Sequence, residues 1–352
     1  MELLRNIRGQ QKAVKFLTNT LSADRVANSY LFTGPAGVGK TLAARCLAKE
    51  LLCENTSFGK QTRNASGLFG AAHALDEAAG HETIASGACG TCSGCRKVEN
   101  MAHPDLLLVT KEDRQSVVIS EIRKIKEVFS LKPFESAWNI CIIEDAHLMN
   151  AASSNALLKV LEEPPGKSVI ILVTHKKELL LPTVISRCLE IRFNFLPFED
   201  AADIIKNTAE IDEKDAEFLA FYTNGSPGAA LEMIESDILV RKDDILSKVF
   251  KILSNKGGIS PAWDVEDRAE LAGDLEFLIV LLRNAAVGRA GFNTAKYDVI
   301  FKGHEDVLTL LKKYSIDELY SVMAKIIGIK SAIEGNVNSK LASSYLPSVF
   351  SC

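Results

Sequence analysis

A chain of 352 residues holds enough material for two or three domains with a sizeable core. Hydrophobic residues make up 47% and charged residues 24%, the balance of an ordinary soluble globular protein, and the longest apolar run in the C-terminal half, Phe277 to Leu282, is far too short to span a bilayer. A formal net charge of −4 argues against a surface that grips nucleic acid along its whole length, so any contact with DNA should be local or shared with partner chains. The N-terminal stretch Met1 to Arg8 lacks an apolar signal core, and the expected location is cytoplasmic, with no membrane partner.

Residues 1–200 alternate strand and helix signals, the pattern of a parallel sheet with helices on both faces. Ser29 to Thr33 reads as a short buried strand. It leads into Gly34-Pro35-Ala36-Gly37-Val38-Gly39-Lys40-Thr41, which fills every fixed position of the G-x-x-x-x-G-K-[ST] phosphate loop. From Thr41 to Leu52, apolar residues recur at helical spacing (Leu42, Cys46, Leu47, Leu51). This strand–loop–helix context distinguishes the motif from a glycine-rich turn without a ligand. The glycines let successive N–H groups turn toward an anion, and the helix start adds partial positive charge. Lys40 is expected to contact the outer phosphates of a nucleoside triphosphate, and the Thr41 hydroxyl to ligate magnesium.

Next comes a segment of low hydrophobicity from Glu54 to Ala88, rich in Gly, Ala, Ser and His, expected to be a mobile loop with some helix around Ala71 to Ala79. It ends at Cys89-Gly-Thr-Cys92-Ser-Gly-Cys95, whereas Cys53 stands at the close of the phosphate-loop helix. In a reducing compartment, four such cysteines among eight point to a closed, structural zinc site rather than to disulfides. Cys53 is the natural fourth ligand; His73, His81 and His103 are the alternatives. Cys46, Cys141 and Cys188 read as core residues.

Further strand signals fall at Leu106 to Thr110, Val117 to Ile119, Asn139 to Ile143 and Val169 to Thr174. Ser120 reads as the N-cap of a helix bearing Ile122, Ile125, Val128 and Phe129, which Pro133 stops. A second helix, Ala151 to Glu163, carries Leu157, Leu158 and Leu161 and ends at Pro164-Pro165. A phosphate-loop enzyme needs a second strand that presents acids to magnesium and to the attacking water. Cys141-Ile-Ile-Glu144-Asp145-Ala-His147 supplies them, Glu144 for magnesium and Asp145 for water; the competing reading is a solvated acidic turn. ATPases of this type usually place Asp first and Glu second, so the order here is inverted. In-line attack is sensitive to misplacement by about 1 Å, and Asp is one methylene shorter than Glu. Thr174 ends the next strand, where a hydroxyl could sense the outer phosphate. Arg187, in Ser186-Arg187-Cys188, has two readings. Position alone favours a surface salt bridge; the other is a guanidinium that reaches a neighbour's nucleotide. From Phe198 to Glu235 short helices dominate, broken at Asn224 to Gly228, and from Asp237 onward the pattern is helical throughout, as at Leu271, Leu275, Leu278, Ile279 and Leu282.

Together these motifs resemble the clamp-loader branch of the AAA+ ATPases, more narrowly the subunits of the bacterial DNA polymerase III clamp loader. The resemblance runs over residues 7–235. It is carried by Gly9-Gln10, Gly34 to Thr41, the cysteine cluster, His103-Pro-Asp105, Glu144 to His147, Asn155 to Lys159 with Leu161 to Pro165, and Ser186 to Cys188. It implies an α/β AAA+ phosphate-loop domain over residues 1–197 with a zinc-binding insertion at 53–95, a small helical lid over 198–240, and an all-α collar over 241–352. It also implies ATP, Mg2+ and structural Zn2+, and Arg187 as an arginine finger acting in trans. The implied partners are other clamp-loader subunits, the sliding clamp, and primed DNA through the assembled complex. The departure is the spacer: 35 residues, 54–88, separate Cys53 from Cys89, far more than the family usually has, so the insertion must loop out.

Two kinds of subunit share this framework, the gamma/tau motor and delta-prime. The motor carries an arginine after Gly-Ser in its lid, where this chain has Gly225-Ser226-Pro227-Gly228. The segment from His103 to Arg123 lacks the motor's Asp-Ala-Ala-Ser after His-Pro-Asp, and the chain has no tau-like extension. These features favour a delta-prime-like subunit with weak or absent ATPase activity of its own. The intact phosphate loop, lost in many delta-prime subunits, leaves the gamma/tau-like motor as the alternative.

Overall fold

The computed structural model describes residues 7–58, 87–110, 119–254, 263, 265–290, 298–335 and 337–350. The chain divides into two compact units, Met1–Leu196 and Pro197–Cys352.

The first unit is built on strands β1 (Ser29–Thr33), β2 (Leu106–Val109), β3 (Asn139–Ile143), β4 (Ser168–Val173) and β5 (Leu189–Arg192). They form one sheet in the order β2-β3-β4-β1-β5, with every adjacent pair parallel. β1, β3 and β4 are buried at every position, their apolar centres and polar ends alike, as strands are in a sheet covered on both faces. The edge strand β5, Leu-Glu-Ile-Arg, buries only Ile191. Helices α1 (Gln11–Ser22), α2 (Lys40–Leu52), α3 (Ser93–Glu99), α4 (Ile119–Ser130) and α5 (Ala151–Glu162) belong to this unit, with a short turn of helix, α6, at Pro182–Ile185.

One core cluster packs Leu31, Cys141, Ile143, Ile170 and Leu172 of the sheet against Ile122, Ile125 and Phe129 of α4 and Leu157 and Val160 of α5. Each such side chain taken fully out of water contributes about 1.5–3 kcal/mol, which is what fixes these helices on that face. α5 starts where the Asn150 side chain accepts the Ser153 N–H at 2.8 Å, and it stops before Pro164. Ile119 opens α4 instead of closing a strand, and Ser120 lies inside the helix rather than capping it. The other residues of that expected strand, 117–118, and the helix expected near Ala71 to Ala79 lie outside the described residues. In α2, Cys46, Leu47 and Leu51 are buried, but Leu42 is 56% exposed.

Among its described residues the second unit contains helices and no strand: α7 (Phe198–Ala209), α8 (Glu213–Tyr222), α9 (Pro227–Glu235), α10 (Ile238–Ser254), α11 (Arg268–Arg289), α12 (Glu305–Leu311), α13 (Ile316–Glu334) and α14 (Ser339–Val349). The 22-residue α11 buries Leu271, Leu275, Phe277, Leu278, Leu281 and Leu282, and α13 packs along it. A capping box between Ser315 and Glu318 starts α13. No described helix is long and apolar enough to cross a membrane.

Candidate functional site

β1 delivers the chain into the phosphate loop at the carboxyl end of the sheet. Gly34 has φ +135°, and a Cβ there would lie 2.1 Å from the Phe193 carbonyl oxygen, so no other residue can pass this close to the exit of β5. Gly39, at φ +92°, precedes α2 with open space where a Cβ would stand, the cradle an incoming phosphate group needs. Lys40 is buried, and its Nζ donates to the Gly34 carbonyl at 2.9 Å and to that of Pro35. Burial pulls its pKa down to about 8, with the Asp145 charge opposing that fall. Gln10 braces the loop from outside: its amide donates to the carbonyls of Val38 and Asn194 at 3.3 and 2.7 Å and accepts the Asn194 N–H at 3.2 Å. Gly9-Gln10 is visible in the sequence as part of the resemblance, but nothing local discloses this partnership across the domain.

The sheet order places β4 between β1 and β3, so Thr174 follows the strand that separates the phosphate loop from Glu144 and Asp145. Glu144 Oε1 is buried 3.6 Å from the Arg45 guanidinium, too far for a hydrogen bond. Burial pushes the Glu144 carboxyl up and Asp145 adds to that rise, whereas Arg45 and the nearby Thr41 hydroxyl pull it down. An alcohol and a carboxylate side by side are oxygen donors suited to a hard cation, so Thr41 and Glu144 fit magnesium. Asp145 adopts a left-handed backbone, φ 46° and ψ 45°, and its Oδ1 lies 3.4 Å from His175 Nδ1. The buried Thr174 hydroxyl lies 3.2 Å from His147 Nδ1 and accepts the Lys176 N–H at 3.1 Å.

Arg187 stands apart from this group on the surface. Its guanidinium donates to the Thr183 carbonyl at 2.9 Å and pairs with Glu162 at 2.6 Å. Its carbonyl accepts the Ser29 hydroxyl at 2.6 Å, which ties the Ser-Arg-Cys turn to the start of β1.

The four cysteines converge: one Sγ from each of Cys53, Cys89, Cys92 and Cys95 lies within 4.8 Å of all the others. Cys53 Sγ is 3.7 Å from that of Cys89 and 3.8 Å from that of Cys92. Zinc–sulfur bonds of about 2.3 Å in a tetrahedron place neighbouring sulfurs about 3.8 Å apart. The donor set therefore fits zinc, and the separations are far too long for disulfides. Backbone N–H groups of Cys89, Cys92 and Cys95 point at Cys53, Cys89 and Cys92 sulfurs at 3.3–3.4 Å, and Asn55 donates to Cys89 at 3.3 Å. Burial raises the Cys53 and Cys95 thiols; it also acts on Cys89, but donors from Thr91, Cys92 and Asn55 outweigh it and pull that thiol to about 5. Glu50 and Glu54 of the phosphate-loop segment hold the Ala88 and Gly94 N–H groups at 2.6 and 3.1 Å, joining the cluster to α2. His103 is engaged elsewhere, its Nδ1 accepting the Asp105 N–H at 3.1 Å, while Asp105 accepts the N–H groups of Phe134, Glu135 and Ser136. His73 and His81 lie outside the described residues.

A five-stranded parallel sheet with a phosphate loop after β1 and paired carboxylates after β3, the two strands separated by β4, defines the nucleotide-binding domain of an AAA+ protein. The family model for "DNA polymerase III, delta subunit" matches residues 9–67 and 61–197, and the chain belongs to this family of AAA+ clamp-loader subunits. The chain is 30% identical to DNA polymerase III subunit gamma of Buchnera aphidicola subsp. Schizaphis graminum over 246 residues, 68% of this chain and 60% of the relative. It is 27% identical to subunit delta' of Bacillus subtilis over 340 residues, 94% of this chain and 92% of the relative. With subunit delta' of Pseudomonas aeruginosa it shares 28% over 241 residues, 67% of this chain and 64% of the relative. It thus spans less than two thirds of the length of the gamma relative.

Proposed function

We propose that this chain is a delta-prime-like subunit of a bacterial replicative clamp loader, supporting ATP-dependent loading of a sliding clamp on primed DNA. The observation that carries this reading is the lid segment. Ser226 caps α9 by accepting the Ala229 N–H at 3.4 Å, and Pro227 and Gly228 open that helix where the motor subunits have an arginine. The alignment with the Bacillus delta' relative along 94% of this chain supports it further. Gly34 to Thr41 hold ATP, and Thr41 with Glu144 hold Mg2+, which would neutralise charge on the outer phosphates. Asp145 orients the attacking water, and Thr174 senses the outer phosphate through its hydroxyl. With the acids inverted and the lid arginine missing, the chain binds nucleotide and hydrolyses it poorly by itself. Its main service to catalysis is Arg187, given to the nucleotide of an adjacent subunit.

In this reading the four cysteines hold structural zinc, and the second unit divides near residue 240 into a lid and an assembly collar. The partners are other clamp-loader subunits, with the clamp and DNA reached through the assembly, in the cytoplasm. The intact phosphate loop and the Buchnera gamma relative favour a second reading, a gamma/tau-like motor. One experiment separates them: ATP turnover by the purified chain, with Lys40→Ala as control, and DNA-stimulated turnover of an assembly reconstituted with motor and clamp-opening subunits, with and without this chain. Motor-like turnover by the chain alone, lost in Lys40→Ala, would overturn the delta-prime reading.

A further inference from the structure

We propose that in the nucleotide-free chain, before Asp145 is engaged at a bound nucleotide, Asp145, His147 and His175 form a binding site for a divalent first-row transition-metal ion such as zinc, distinct from the cysteine cluster. The three residues come from the turns that follow β3 and β4, which are hydrogen-bonded neighbours, so the sheet itself brings them together. One ligand atom from each lies within 4.8 Å of the other two. His175 Nδ1 and Asp145 Oδ1 are 3.4 Å apart. A charge-assisted hydrogen bond between imidazole and carboxylate is expected at about 2.7–2.9 Å. Ligands at about 2.0–2.1 Å from a tetrahedral metal are instead separated by roughly 3.3–3.4 Å, the distance observed.

The surroundings hold the donors in place. Asp145 takes a left-handed conformation, and its carbonyl accepts the Leu148 N–H at 2.8 Å, closing a single turn that carries His147 beside it. The buried His147 ring lies edge-on to His175 with centroids 4.3 Å apart, and its Nδ1 lies 3.2 Å from the Thr174 hydroxyl. A hydrogen bond on one imidazole nitrogen, leaving the other for a metal, is how ligating histidines are usually oriented. His175 and Asp145 keep about a third of their side chains exposed, which leaves a route for an ion. Two imidazoles and one carboxylate select zinc, cobalt or nickel over magnesium, which prefers oxygen donors throughout.

The test is zinc content of the full-length chain after dialysis against micromolar zinc, compared among wild type, His175→Asn and His147→Gln. Wild type should carry one more zinc per chain than either variant. Equal zinc contents in wild type and His175→Asn would overturn the proposal. The difference between chains reads this site alone, whatever the cysteine cluster binds. His147 is buried, so should His147→Gln lose its wild-type circular dichroism, the partly exposed His175 decides. Cobalt gives a second readout. The wild-type minus His175→Asn spectrum should show only weak ligand-field bands, and intense sulfur-to-cobalt charge transfer in that difference would assign the lost ion to the cysteines and overturn the proposal.

Discussion

Arg187 and Glu162 form an ion pair at 2.6 Å that joins the Ser-Arg-Cys turn to the last turn of α5. Both side chains are partly exposed, 35% and 48%, and a pair this open to solvent contributes about 0–1 kcal/mol. That is small beside what an arginine contributes at a phosphoryl-transfer transition state, on the order of 10³-fold in rate or more. Releasing Glu162 would therefore be a minor cost in the proposed role of Arg187 at a neighbouring subunit's nucleotide.

Arg187→Ala should leave nucleotide affinity of this chain unchanged and slow DNA-stimulated ATP turnover of the reconstituted assembly, the affected site by roughly 10³-fold. Glu162→Gln should retain turnover and lose less than about 1 kcal/mol of stability. Unaltered turnover in Arg187→Ala would leave the residue with its salt bridge and nothing more.

Lys40 gives a pH-dependent prediction. Its pKa falls from 10.5 to about 8 on folding, chiefly by burial, so between those values the folded chain binds fewer protons than the unfolded one. Stability then rises with pH across that window, and below about pH 8 the buried charge is a net penalty. Lys40→Met should abolish nucleotide binding, yet melt no lower than wild type at pH 7 without nucleotide. Its advantage should shrink as pH climbs from about 8 toward 10.5. Melting curves at several pH values check this; a variant clearly less stable than wild type at pH 7 would contradict the assignment of strain to the lysine.

Cys53, rather than His103, meets the other three cysteines. Cys53→Ser should lose the zinc of that cluster and lower the melting temperature, as should prolonged chelation of wild type. His103→Ala should keep its zinc while losing about 1–3 kcal/mol, because the buried Asp105 N–H loses its acceptor. The spacer of 35 residues is no obstacle, since each doubling of a flexible loop costs only about 0.6 kcal/mol. Metal analysis of the two variants distinguishes them directly.

Features written in consecutive residues could be read before the fold was known. β1, β3 and β4 are apolar apart from polar residues at their ends, and the phosphate loop is contiguous, so period and motif are enough for both. Short apolar stretches are ambiguous: Ile119 follows two valines as a strand residue would, but tertiary packing draws it into the helix that buries Ile122 and Ile125. Long-range polar contacts carry no local signature. Gln10 reaching Asn194, Arg45 facing Glu144, and Asp105 collecting three N–H groups from residues 134–136 exist only once the sheet has set its order. The approach of His175 to Asp145 is of the same kind, because it depends on β4 lying beside β3.

Asp145 supplies the last prediction, and it concerns why the acids stand in this order. At φ 46° and ψ 45° the residue occupies a region that costs ordinary side chains roughly 1–2 kcal/mol and that Asp and Asn tolerate through local hydrogen bonding. A glutamate at this position would bring a longer reach at the expense of backbone strain. The exchange Glu144→Asp with Asp145→Glu should therefore lose about 1 kcal/mol in denaturant unfolding, whereas Asp145→Asn should stay within about 0.5 kcal/mol of wild type. Restoring the usual order should not by itself produce motor-like turnover, because Pro227 and Gly228 still stand where the lid arginine would act. Rapid hydrolysis by the exchanged chain alone, where the unexchanged chain is slow, would show that the inversion, and not the lid, limits turnover.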